Sequence, residues 1–330
     1  MRNKKVLVTG ATGLLGSNVA AELIERGYEV RVLTRKTSNT IAIADLPVEE
    51  HVGDITRAES VREAMRGCQV VIHAAANTSQ WGAEMNKHNA VNVLGTQHVL
   101  EAVQAIGVER FIYVSTANTL SPGSLEKPGN EQGAFSYQEV STRYIDTKYQ
   151  AEQMVLQAVA ERGTPAVIVN PTFIIGARDA KPSSGKMILF YLQNKFIACP
   201  PGGKNYVPVQ DAATAITNAI TLGQPGERYL LAGENMQYAD FFGKIANVTG
   251  RQKPIFTTPA PLLRAVGRVG DAVQQITRRS VSWSYANVSM LTIDNYYTGA
   301  KAVAELQMPQ TPIEEAIKDA VSWFASNDYV

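Results

Sequence analysis

A strand, a run of glycines and a helix follow one another at the start of the chain, and this order restricts the fold more than any other feature. The apolar, β-branched run from Lys5 to Thr9 predicts a buried strand, and residues 14–26 predict a helix that ends at Gly27. Between them the chain reads Gly10-Ala11-Thr12-Gly13-Leu14-Leu15-Gly16. A segment of this kind between a strand and a helix is typical of a nucleotide-binding α/β unit.

Each glycine has a physical purpose in such a turn. Gly10 permits the tight bend, Gly13 lets backbone amides approach a pyrophosphate, and Gly16 lets the helix pack closely on the strand. The helix N-terminus adds unpaired N–H groups and a partial positive charge. A plain glycine-rich turn is the alternative, but the strand and helix around it favour a dinucleotide site made by all seven residues.

Strands and helices alternate over the first half of the chain. The predicted strands cover residues 29–33, 70–74, 110–115 and 166–169, and the predicted helices cover residues 58–66, 90–106 and 141–162. Gly67 and Gly107 follow two of the helices, where a left-handed residue is expected. The alternation predicts an α/β fold of the Rossmann type, with a doubly wound parallel sheet.

The alternation weakens beyond Gly176, and two Pro- and Gly-rich turns follow. We predict a dinucleotide-binding domain over residues 1–175 and a smaller, mostly helical substrate lobe over residues 176–330. Segments near 207–232 return to the first domain, and residues 226–231 predict a strand of the main sheet. The 330 residues suit about two domains of ~150 residues each.

Composition excludes several classes of protein. With 45% apolar and 18% charged residues the chain is globular, and its net charge of +1 disfavours nucleic acid and anionic membrane surfaces as main partners. No apolar run approaches the ~20 residues that span a bilayer. Two distant cysteines indicate a reducing, cytoplasmic environment, and no histidine pair has the spacing of a metal site.

Several further segments occur in an order that matches one enzyme family. They are Gly53-Asp54-Ile55, His73-Ala74-Ala75-Ala76, Asn92-Val93-Leu94-Gly95-Thr96, Tyr144-Ile145-Asp146-Thr147-Lys148 and Asn170-Pro171-Thr172. With the glycine turn they resemble the extended short-chain dehydrogenases/reductases, the NAD-dependent epimerase/dehydratase family of dihydroflavonol reductases and nucleotide-sugar epimerases. The segment from Gly176 to Gly185 is most similar to the bacterial dihydroflavonol-reductase-like group, which includes proteins called hopanoid-associated sugar epimerases.

The resemblance implies where the cofactor binds. Asp54 and Ile55 would contact the adenine, Ala74, Ala75 and Ala76 would line the fourth strand's end, and Pro171 and Thr172 would face the nicotinamide carboxamide. The end of the second strand carries Arg35 and Lys36 with no acidic residue beside them in sequence. Because arginine grips a phosphate bidentately and an acid there would repel it, we predict NADP(H) rather than NAD. Two solvated loop cations are the alternative.

Three pairs match the tyrosine and lysine spacing of the catalytic helix: Tyr144/Lys148, Tyr191/Lys195 and Tyr297/Lys301. Spacing alone only puts two side chains on one helix face. Tyr144/Lys148 follows the strand that ends near Ser115, and the carboxyl edge of such a sheet carries its ligands. We therefore predict that Tyr144 is the proton donor and that Lys148 lowers its pKa. The resemblance implies that Lys148 also holds the nicotinamide ribose.

A hydroxyl should hold the substrate oxygen beside Tyr144. Thr116 aligns with the family's serine, and Ser115 is the alternative. Asn92 would order the site, although an interior asparagine that binds backbone is equally consistent. His73, which closes a buried strand, has a structural role as its favoured interpretation.

Residues after the site decide between reactions. Ala117-Asn118 stands where dehydratases of this branch carry an Asp-Glu pair, so dehydration is disfavoured. Asn170 matches a sugar-nucleotide contact, whereas Lys204 is a weak substitute for a diphosphate-binding arginine. We predict NADPH-dependent reduction of an aldehyde or ketone, with nucleotide-sugar 4-epimerisation as the alternative and a non-catalytic cofactor sensor less favoured. The resemblance also implies a homodimer through the helices near 90–106 and 141–162.

Overall fold

The computed structural model describes residues 4–79, 87–135, 142–278, 281 and 283–330. Thirteen strands lie in these ranges: β1 Lys5–Thr9, β2 Glu29–Thr34, β3 Glu49–Val52, β4 Val70–His73, β5 Arg110–Val114, β6 Ala166–Pro171, β7 Phe173–Ile175, β8 Ile197–Cys199, β9 Gly203–Pro208, β10 Arg228–Leu231, β11 Glu234–Gln237, β12 Ile255–Thr257 and β13 Asp294–Asn295. Eleven α-helices accompany them: α1 Leu14–Glu25, α2 Ala58–Met65, α3 Gly95–Ile106, α4 Arg143–Arg162, α5 Lys186–Gln193, α6 Val209–Asn218, α7 Tyr238–Thr249, α8 Ala260–Thr277, α9 Tyr285–Met290, α10 Ala300–Leu306 and α11 Ile313–Ser326.

Seven parallel strands form the main sheet in the order β10-β6-β5-β4-β1-β2-β3. The predicted Rossmann-type sheet is confirmed, including the return of β10 to its edge. From β1 the chain proceeds to β2 and β3 on one side and then crosses to β4 on the other. A ligand crevice is expected at such a switch point, outside the carboxyl ends of β1 and β4.

Both faces of the sheet are covered by helices, which explains why its inner strands are apolar throughout. Val6 and Val8 pack with α1 and α6 on one face, while Leu7 packs with α2, α3 and α4 on the other. The edge strand β3 was not predicted from the sequence. Its residues are Glu-Glu-His-Val and largely exposed, so it lacks the apolar pattern that identifies an inner strand.

Two helices near the crevice begin in ways that the sequence did not show. The predicted helix at 90–106 starts as a π-helix, Asn89–Leu94, and continues as α3, which ends at the left-handed Gly107. The predicted helix at 141–162 begins at Arg143, where the Thr142 hydroxyl accepts from the Ile145 amide, and Ser141 lies outside the described residues. Single-turn π segments are frequent at functional sites.

A separate apolar core lies beyond the sheet and joins α5, α7 and α11 to β7 and β9. The lobe around it is largely helical, with short strands that the sequence did not predict. Arg178 connects it to the main sheet, because its guanidinium binds the Asp45 carboxylate bidentately at 2.7 Å for each oxygen. The chain division at residue 175 stays a prediction. None of the described helices is long and apolar enough to cross a membrane.

Candidate active site

The glycine segment lies at the carboxyl end of β1 and opens α1. Gly10 has φ +78°, and a Cβ on it would lie 2.6 Å from the Ala75 amide nitrogen, so the bend and the contact with the segment after β4 both require glycine. A Cβ on Gly16 would lie 2.3 Å from the Gly10 carbonyl oxygen. The close packing of helix on turn therefore depends on these two glycines.

Gly13 differs from its neighbours and provides the test of whether a dinucleotide fits. It is the N-cap of α1 with φ −95°, and an added Cβ would meet only the Gly10 carbonyl oxygen at 3.4 Å. Neither its backbone conformation nor the packing of the described residues requires glycine there. No side chain caps the helix, and its first turn contains no acidic residue. This end of α1 is therefore open to an anionic group, as a pyrophosphate requires.

Cations and one carboxylate lie around the end of β2. Arg35 and Lys36 follow the strand, are exposed, and make no side-chain ion pair or hydrogen bond with the described residues. The sequence suggested that no acid is near, but Glu50 of the neighbouring β3 comes within hydrogen-bond reach, at 3.4 Å from the Thr34 hydroxyl. Two basic side chains and one carboxylate therefore lie near the end of β2, where an adenine ribose would bind.

The other predicted cofactor residues follow β3 and β4, at the same carboxyl edge of the sheet. Asp54 uses one carboxylate oxygen to accept from the Thr56 amide and hydroxyl, each at 2.9 Å, and Ile55 is buried under the start of α3. Ala74 and Ala75 donate their amides to the Thr9 carbonyl and hydroxyl oxygens. Ala76 follows them, half-buried. Asp54 therefore keeps one carboxylate oxygen available to a ligand.

Tyr144 and Thr116 come together at the carboxyl end of β5. Tyr144 lies in the first turn of α4, half-buried, and Thr116 lies two residues past the strand. Burial raises the pKa of Tyr144, and the interaction of its phenol with the Thr116 hydroxyl acts in the opposite direction. We expected a lowered pKa, but Lys148 is engaged elsewhere and desolvation dominates.

Ser115 and Thr116 face different surroundings although they are adjacent. The Ser115 hydroxyl donates to the Glu152 carboxylate at 2.5 Å. Glu152 is fully buried and also accepts from Thr119 at 2.7 Å, while its second oxygen lies 3.6 Å from the Arg228 guanidinium. The structure therefore brings Thr116, and not Ser115, to Tyr144.

Asn170 belongs to the same buried network. Its amide nitrogen donates to the Glu152 carboxylate at 2.8 Å, the Thr119 hydroxyl at 3.0 Å and the Thr116 carbonyl oxygen at 3.2 Å. The side chain is completely buried, so the predicted contact with a substrate is not available in this structure. Its placement instead fixes the backbone of Thr116.

Lys148 extends from α4 towards β5 and is buried. Its ammonium donates to the Tyr113 hydroxyl at 2.9 Å and to the Val114 carbonyl oxygen at 2.7 Å. Burial lowers the pKa of Lys148 to about 7, and the Glu152 carboxylate works against that shift. Lys148 thus reaches the end of β5, and its charge near neutral pH depends on its burial and on the Glu152 carboxylate.

A family model described as the NAD dependent epimerase/dehydratase family matches residues 6–232. The chain belongs to this family. It is 34% identical to a putative dihydroflavonol 4-reductase of Synechocystis, over 98% of this chain and 95% of the relative. It is 31% identical to sterol demethylase protein B of Methylococcus capsulatus, over 96% and 97%. The crystal structure of gox2253 shares 33% of its residues, covers 98% of each chain and has a TM-score of 0.88.

The membership makes the protein an NAD(P)-dependent enzyme of the oxidoreductase or epimerase type. The two other tyrosine–lysine pairs have contacts of their own elsewhere in this fold. The Tyr191 hydroxyl donates to the Arg251 carbonyl oxygen at 2.5 Å, and Lys195 is exposed. Tyr297 donates to the Leu120 carbonyl oxygen, and Lys301 pairs with Glu227. Packing and surface roles account for both pairs.

His73, at the end of β4, and Asn92, in the π-helix Asn89–Leu94, are both buried. His73 bridges the Thr9 hydroxyl at 2.7 Å and the Thr96 hydroxyl at 3.1 Å, and burial with the nearby Lys148 charge lowers its pKa to about 3. Asn92 binds the Asn77 backbone on both its amide atoms and donates to the Thr147 hydroxyl at 3.0 Å. Asn92 therefore connects the π-helix to α4.

Two predicted residues lie towards the lobe. The Thr172 amide donates to the Leu231 carbonyl oxygen and the Thr172 hydroxyl donates to the Asn205 side chain, so both donors of this residue are engaged within the protein. Lys204 of β9 is half-buried, with its nitrogen 5.4 Å from the centre of the Phe173 ring. It makes no ion pair with the described residues, and burial lowers its pKa to about 8.

Sequence reasoning gave no role to Glu152 and overlooked Tyr113. A signal for Glu152 was present, because Tyr144, Lys148 and Glu152 are spaced by four residues and share one face of α4. Three polar groups on the face that a helix turns towards a sheet need partners, and Tyr113, Ser115 and Thr116 on and after β5 supply them.

Among the described residues no group of histidine, cysteine or carboxylate side chains has the arrangement of a metal site. The candidate site consists of the Thr116 hydroxyl, the Tyr144 phenol and the Lys148 ammonium at and beyond the end of β5.

Proposed function

We propose that this protein is an NADPH-dependent reductase that converts a ketone or aldehyde to an alcohol. The observation that carries the proposal is the approach of Tyr144 to Thr116 at the carboxyl end of β5, with Lys148 on the same helix face. A proton donor and a second hydroxyl are in contact there, and a cation one helical turn further along α4 reaches the end of the same strand. Carbonyl reduction needs that combination.

The residues of the chain fit a nicotinamide dinucleotide, which supplies the hydride when bound. The segment from Gly10 to Gly16 would hold the pyrophosphate on the N-terminus of α1. Arg35 and Lys36 would bind the 2′-phosphate, Asp54, Ile55 and Ala74–Ala76 would surround the adenosine, and Pro171 and Thr172 would offer carbonyl oxygens to the carboxamide. Lys148 would hold the nicotinamide ribose.

Tyr144 would give its proton to the oxygen that becomes the alcohol, while Thr116 hydrogen bonds to that oxygen and orients it. The raised pKa of Tyr144 suits this direction of reaction, because a buried phenol keeps its proton at neutral pH until the developing alkoxide takes it. Asn92 and the network of Ser115, Glu152 and Asn170 would act indirectly, by fixing α4 and the backbone of Thr116.

The substrate class that we favour is a ketone on an apolar, ring-containing molecule. The names of two relatives concern a dihydroflavonol and a sterol, both of which are ring systems. Phe173 of β7 and Lys204 of β9, on strands that pair with each other beside the lobe core, place an aromatic ring next to a cation without a counter-charge among the described residues. The Lys204 ammonium would donate a hydrogen bond to an oxygen substituent of the substrate, and because burial lowers its pKa to about 8 this cation would lose its proton near that pH.

The test is replacement of Tyr144 with Phe, assayed by the oxidation of NADPH with a panel of cyclic ketones and a dihydroflavonol. We expect kcat to fall by about 100-fold or more, while the Kd for NADPH stays within about twofold. Tyr149→Phe is the matched control, since Tyr149 lies on the same helix and stacks on Phe135 at 4.3 Å. Activity that survives in Tyr144→Phe would refute the assignment, and wild-type protein inactive on the whole panel would favour a cofactor sensor.

Nucleotide-sugar 4-epimerisation with bound NAD is the second candidate. Glu50 favours it, because a carboxylate near the end of β2 repels a 2′-phosphate. Lys204, which forms no ion pair with a described residue, could then bind a diphosphate. Preference for NADH over NADPH in a titration of cofactor-stripped protein, together with interconversion of nucleotide sugars, would establish this function in place of the reductase.

A homodimer through the helices α3 and α4 and a cytoplasmic location also stay proposals. Light scattering on the purified protein tests the first. A monomer at all concentrations would exclude the dimer, and a dimer that charge reversal on the exposed Glu101 of α3 disrupts would support it.

A further inference from the structure

The three residues that follow β7 are each held by a different part of the fold. A Cβ on Gly176 would lie 2.2 Å from the Val209 Cγ1 atom, so this glycine packs closely on the start of α6. The Ala177 carbonyl oxygen accepts from the Asn18 side chain of α1 at 3.0 Å. The Arg178 side chain reaches the loop that follows β2. We call these three residues the clasp segment.

Arg178 makes charge-assisted contacts at the end of the clasp segment. Its two terminal nitrogens each donate to one Asp45 carboxylate oxygen at 2.7 Å, and one of them also donates to the Ala42 carbonyl oxygen at 2.7 Å. Bidentate pairs of this kind are among the strong hydrogen bonds of proteins. The hydrogen bond from Arg178 holds the pKa of Asp45 below its usual value, so the pair persists into mildly acidic solution.

The backbone of Arg178 has a left-handed conformation, with φ +71°. Three other non-glycine residues among those described have a positive φ, Arg278, Gln307 and Asp328, and each of them follows a helix, where this conformation is ordinary. Arg178 follows a strand. A strained backbone persists only where the surrounding contacts impose it. The contacts of the clasp segment therefore hold Arg178 in a conformation that an arginine rarely adopts.

The loop that receives Arg178 also carries the cations that we assign to the 2′-phosphate. This β2 loop runs from Arg35 to Asp45 and is bonded internally. The Ser38 amide donates to the Arg35 carbonyl oxygen at 2.8 Å, and the 3₁₀ helix Ile41–Ile43 completes the loop before Asp45. A displacement of the Asp45 end would therefore also disturb the Arg35 end.

The clasp segment lies close in sequence to the opposite end of the predicted cofactor site. Only β7 separates it from Pro171 and Thr172, which we assign to the nicotinamide carboxamide. Asn18, which holds Ala177, also donates to the Leu14 carbonyl oxygen at 2.7 Å, in the first turn of α1. The clasp segment thus joins three parts of the predicted cofactor site: the nicotinamide segment, the start of α1 and the β2 loop.

We propose that Arg178 is a positioning residue that slows the release of the bound dinucleotide, because it fastens the support of the nicotinamide end to the support of the adenine end. A ligand held at both ends leaves only after one support moves, and the opening of loops often limits release. A bond between the two supports makes that opening less frequent. The proposal rests on the proposed function only in so far as NADPH or NADH binds at this edge of the sheet, and it holds for either.

Stability without cofactor separates this role from a merely structural one. The Asp45 side chain is 63% exposed, and ion pairs with an exposed partner contribute little to the stability of a fold. We therefore expect Arg178→Ala to lower the unfolding temperature of the cofactor-free protein by about 4 °C or less. A structural role would instead appear as a larger loss of stability with no change in the rate of release.

The test is stopped-flow fluorescence of dinucleotide release, in which excess NADP⁺ displaces NADPH and excess NAD⁺ displaces NADH. The dissociation rate constant should rise about tenfold or more in Arg178→Ala, while the association rate constant stays within about threefold. Arg178→Gly, which permits the left-handed backbone without strain, should release equally fast. Asp45→Ala should act in the same direction, and Arg178→Ala/Asp45→Ala should release no faster than Arg178→Ala, because both changes break one contact.

Arg26→Ala is the matched control. Arg26 lies at the other end of α1, where it pairs with Glu22 and donates to the Asn218 side chain of α6, so it too joins two elements. Its removal should leave release unchanged. Normal release from Arg178→Ala, equal acceleration in Arg26→Ala, or a double variant that multiplies the two single effects would overturn the proposal. Wild-type protein that binds neither NADPH nor NADH would overturn the proposed function, and the role of Arg178 with it.

Discussion

The Lys148 ammonium donates to the Tyr113 hydroxyl at 2.9 Å, and its nitrogen lies 4.4 Å from the centre of the same ring. Burial lowers the pKa of Lys148 to about 7, so a group that is ordinarily charged at all physiological pH values titrates near neutrality here. The Tyr113 hydroxyl accepts a hydrogen bond from the Lys148 ammonium, and this bond favours the charged form of Lys148. Tyr113 is therefore a positioning residue for the cation that we assign to the nicotinamide ribose.

Tyr113→Phe should move the pH dependence of cofactor binding to lower pH. Without the hydroxyl acceptor the pKa of Lys148 should fall further, by about one pH unit, because a hydrogen bond to the charged form is lost. Lys148 is charged below its pKa, so NADPH affinity should decline as pH rises through that pKa, and the decline should occur earlier in the variant. Fluorescence titrations with NADPH across the pH range measure both midpoints.

Tyr206→Phe provides the control for this experiment. Tyr206 is also buried on a strand, but its hydroxyl has no hydrogen-bond partner among the described residues. Its removal should leave the pH midpoint unchanged. A midpoint that is the same in Tyr113→Phe and wild type would show that Tyr113 has no influence on Lys148.

Most strands of the main sheet could be predicted from the sequence because the signals for them lie in the strand and turn residues themselves. Inner strands such as β1 need continuous apolar residues, and the bend at Gly10 needs a left-handed residue, so both can be recognised from the residues alone. Strand β3 escaped prediction since an edge strand needs few apolar residues. For the same reason the proximity of Glu50 to the end of β2 could not be predicted, because it arises from the pairing of β2 with β3 and not from closeness in sequence.

The site was predicted as a set of residues but not as a set of contacts. Nothing in the order Ser115-Thr116 tells which hydroxyl turns towards the buried Glu152. The burial of Asn170 likewise depends on three groups from other elements. Such orientations are decided by which polar atoms need partners after packing, which is a property of the folded chain.

Gly13→Ala should separate cofactor binding from folding. Its Cβ would meet only one oxygen, at 3.4 Å, so we expect the free energy of unfolding without cofactor to fall by no more than about 1 kcal/mol, the cost of an N-cap change. If the pyrophosphate approaches the backbone at this position, the added methyl group should weaken NADPH binding by about tenfold or more. Urea denaturation and fluorescence titration measure the two effects.

Gly16→Ala is the contrasting variant, because its Cβ would lie 2.3 Å from the Gly10 carbonyl oxygen. The helix must shift, and we expect a loss of roughly 1–3 kcal/mol in the free energy of unfolding even without cofactor. Equal stability losses in the two variants, or normal NADPH binding by Gly13→Ala, would argue against the proposed pyrophosphate position.

Arg35→Ser should weaken NADPH binding and leave NADH binding nearly unchanged. A bidentate contact between a guanidinium and the 2′-phosphate is charge-assisted, so we expect a loss of about tenfold or more in NADPH affinity. Glu50→Gln should act in the opposite direction, since it removes a carboxylate near the end of β2. Arg57→Ser, at another exposed arginine, is the control. If NADH affinity falls as much as NADPH affinity in Arg35→Ser, Arg35 does not bind the 2′-phosphate.

His73 should make the fold sensitive to acid. Burial lowers its pKa to about 3 from an ordinary value of 6.5, so between these pH values the unfolded chain binds a proton that the folded chain does not. Stability is therefore lost as pH falls below 6.5, by about 2 kcal/mol at about pH 5. His73→Gln loses hydrogen bonds to Thr9 and Thr96 and should be less stable at about pH 8, yet its stability should decline less between about pH 8 and about pH 5. Urea denaturation of both proteins at the two pH values provides the comparison, and equal declines would mean that the imidazole is not held neutral by the fold.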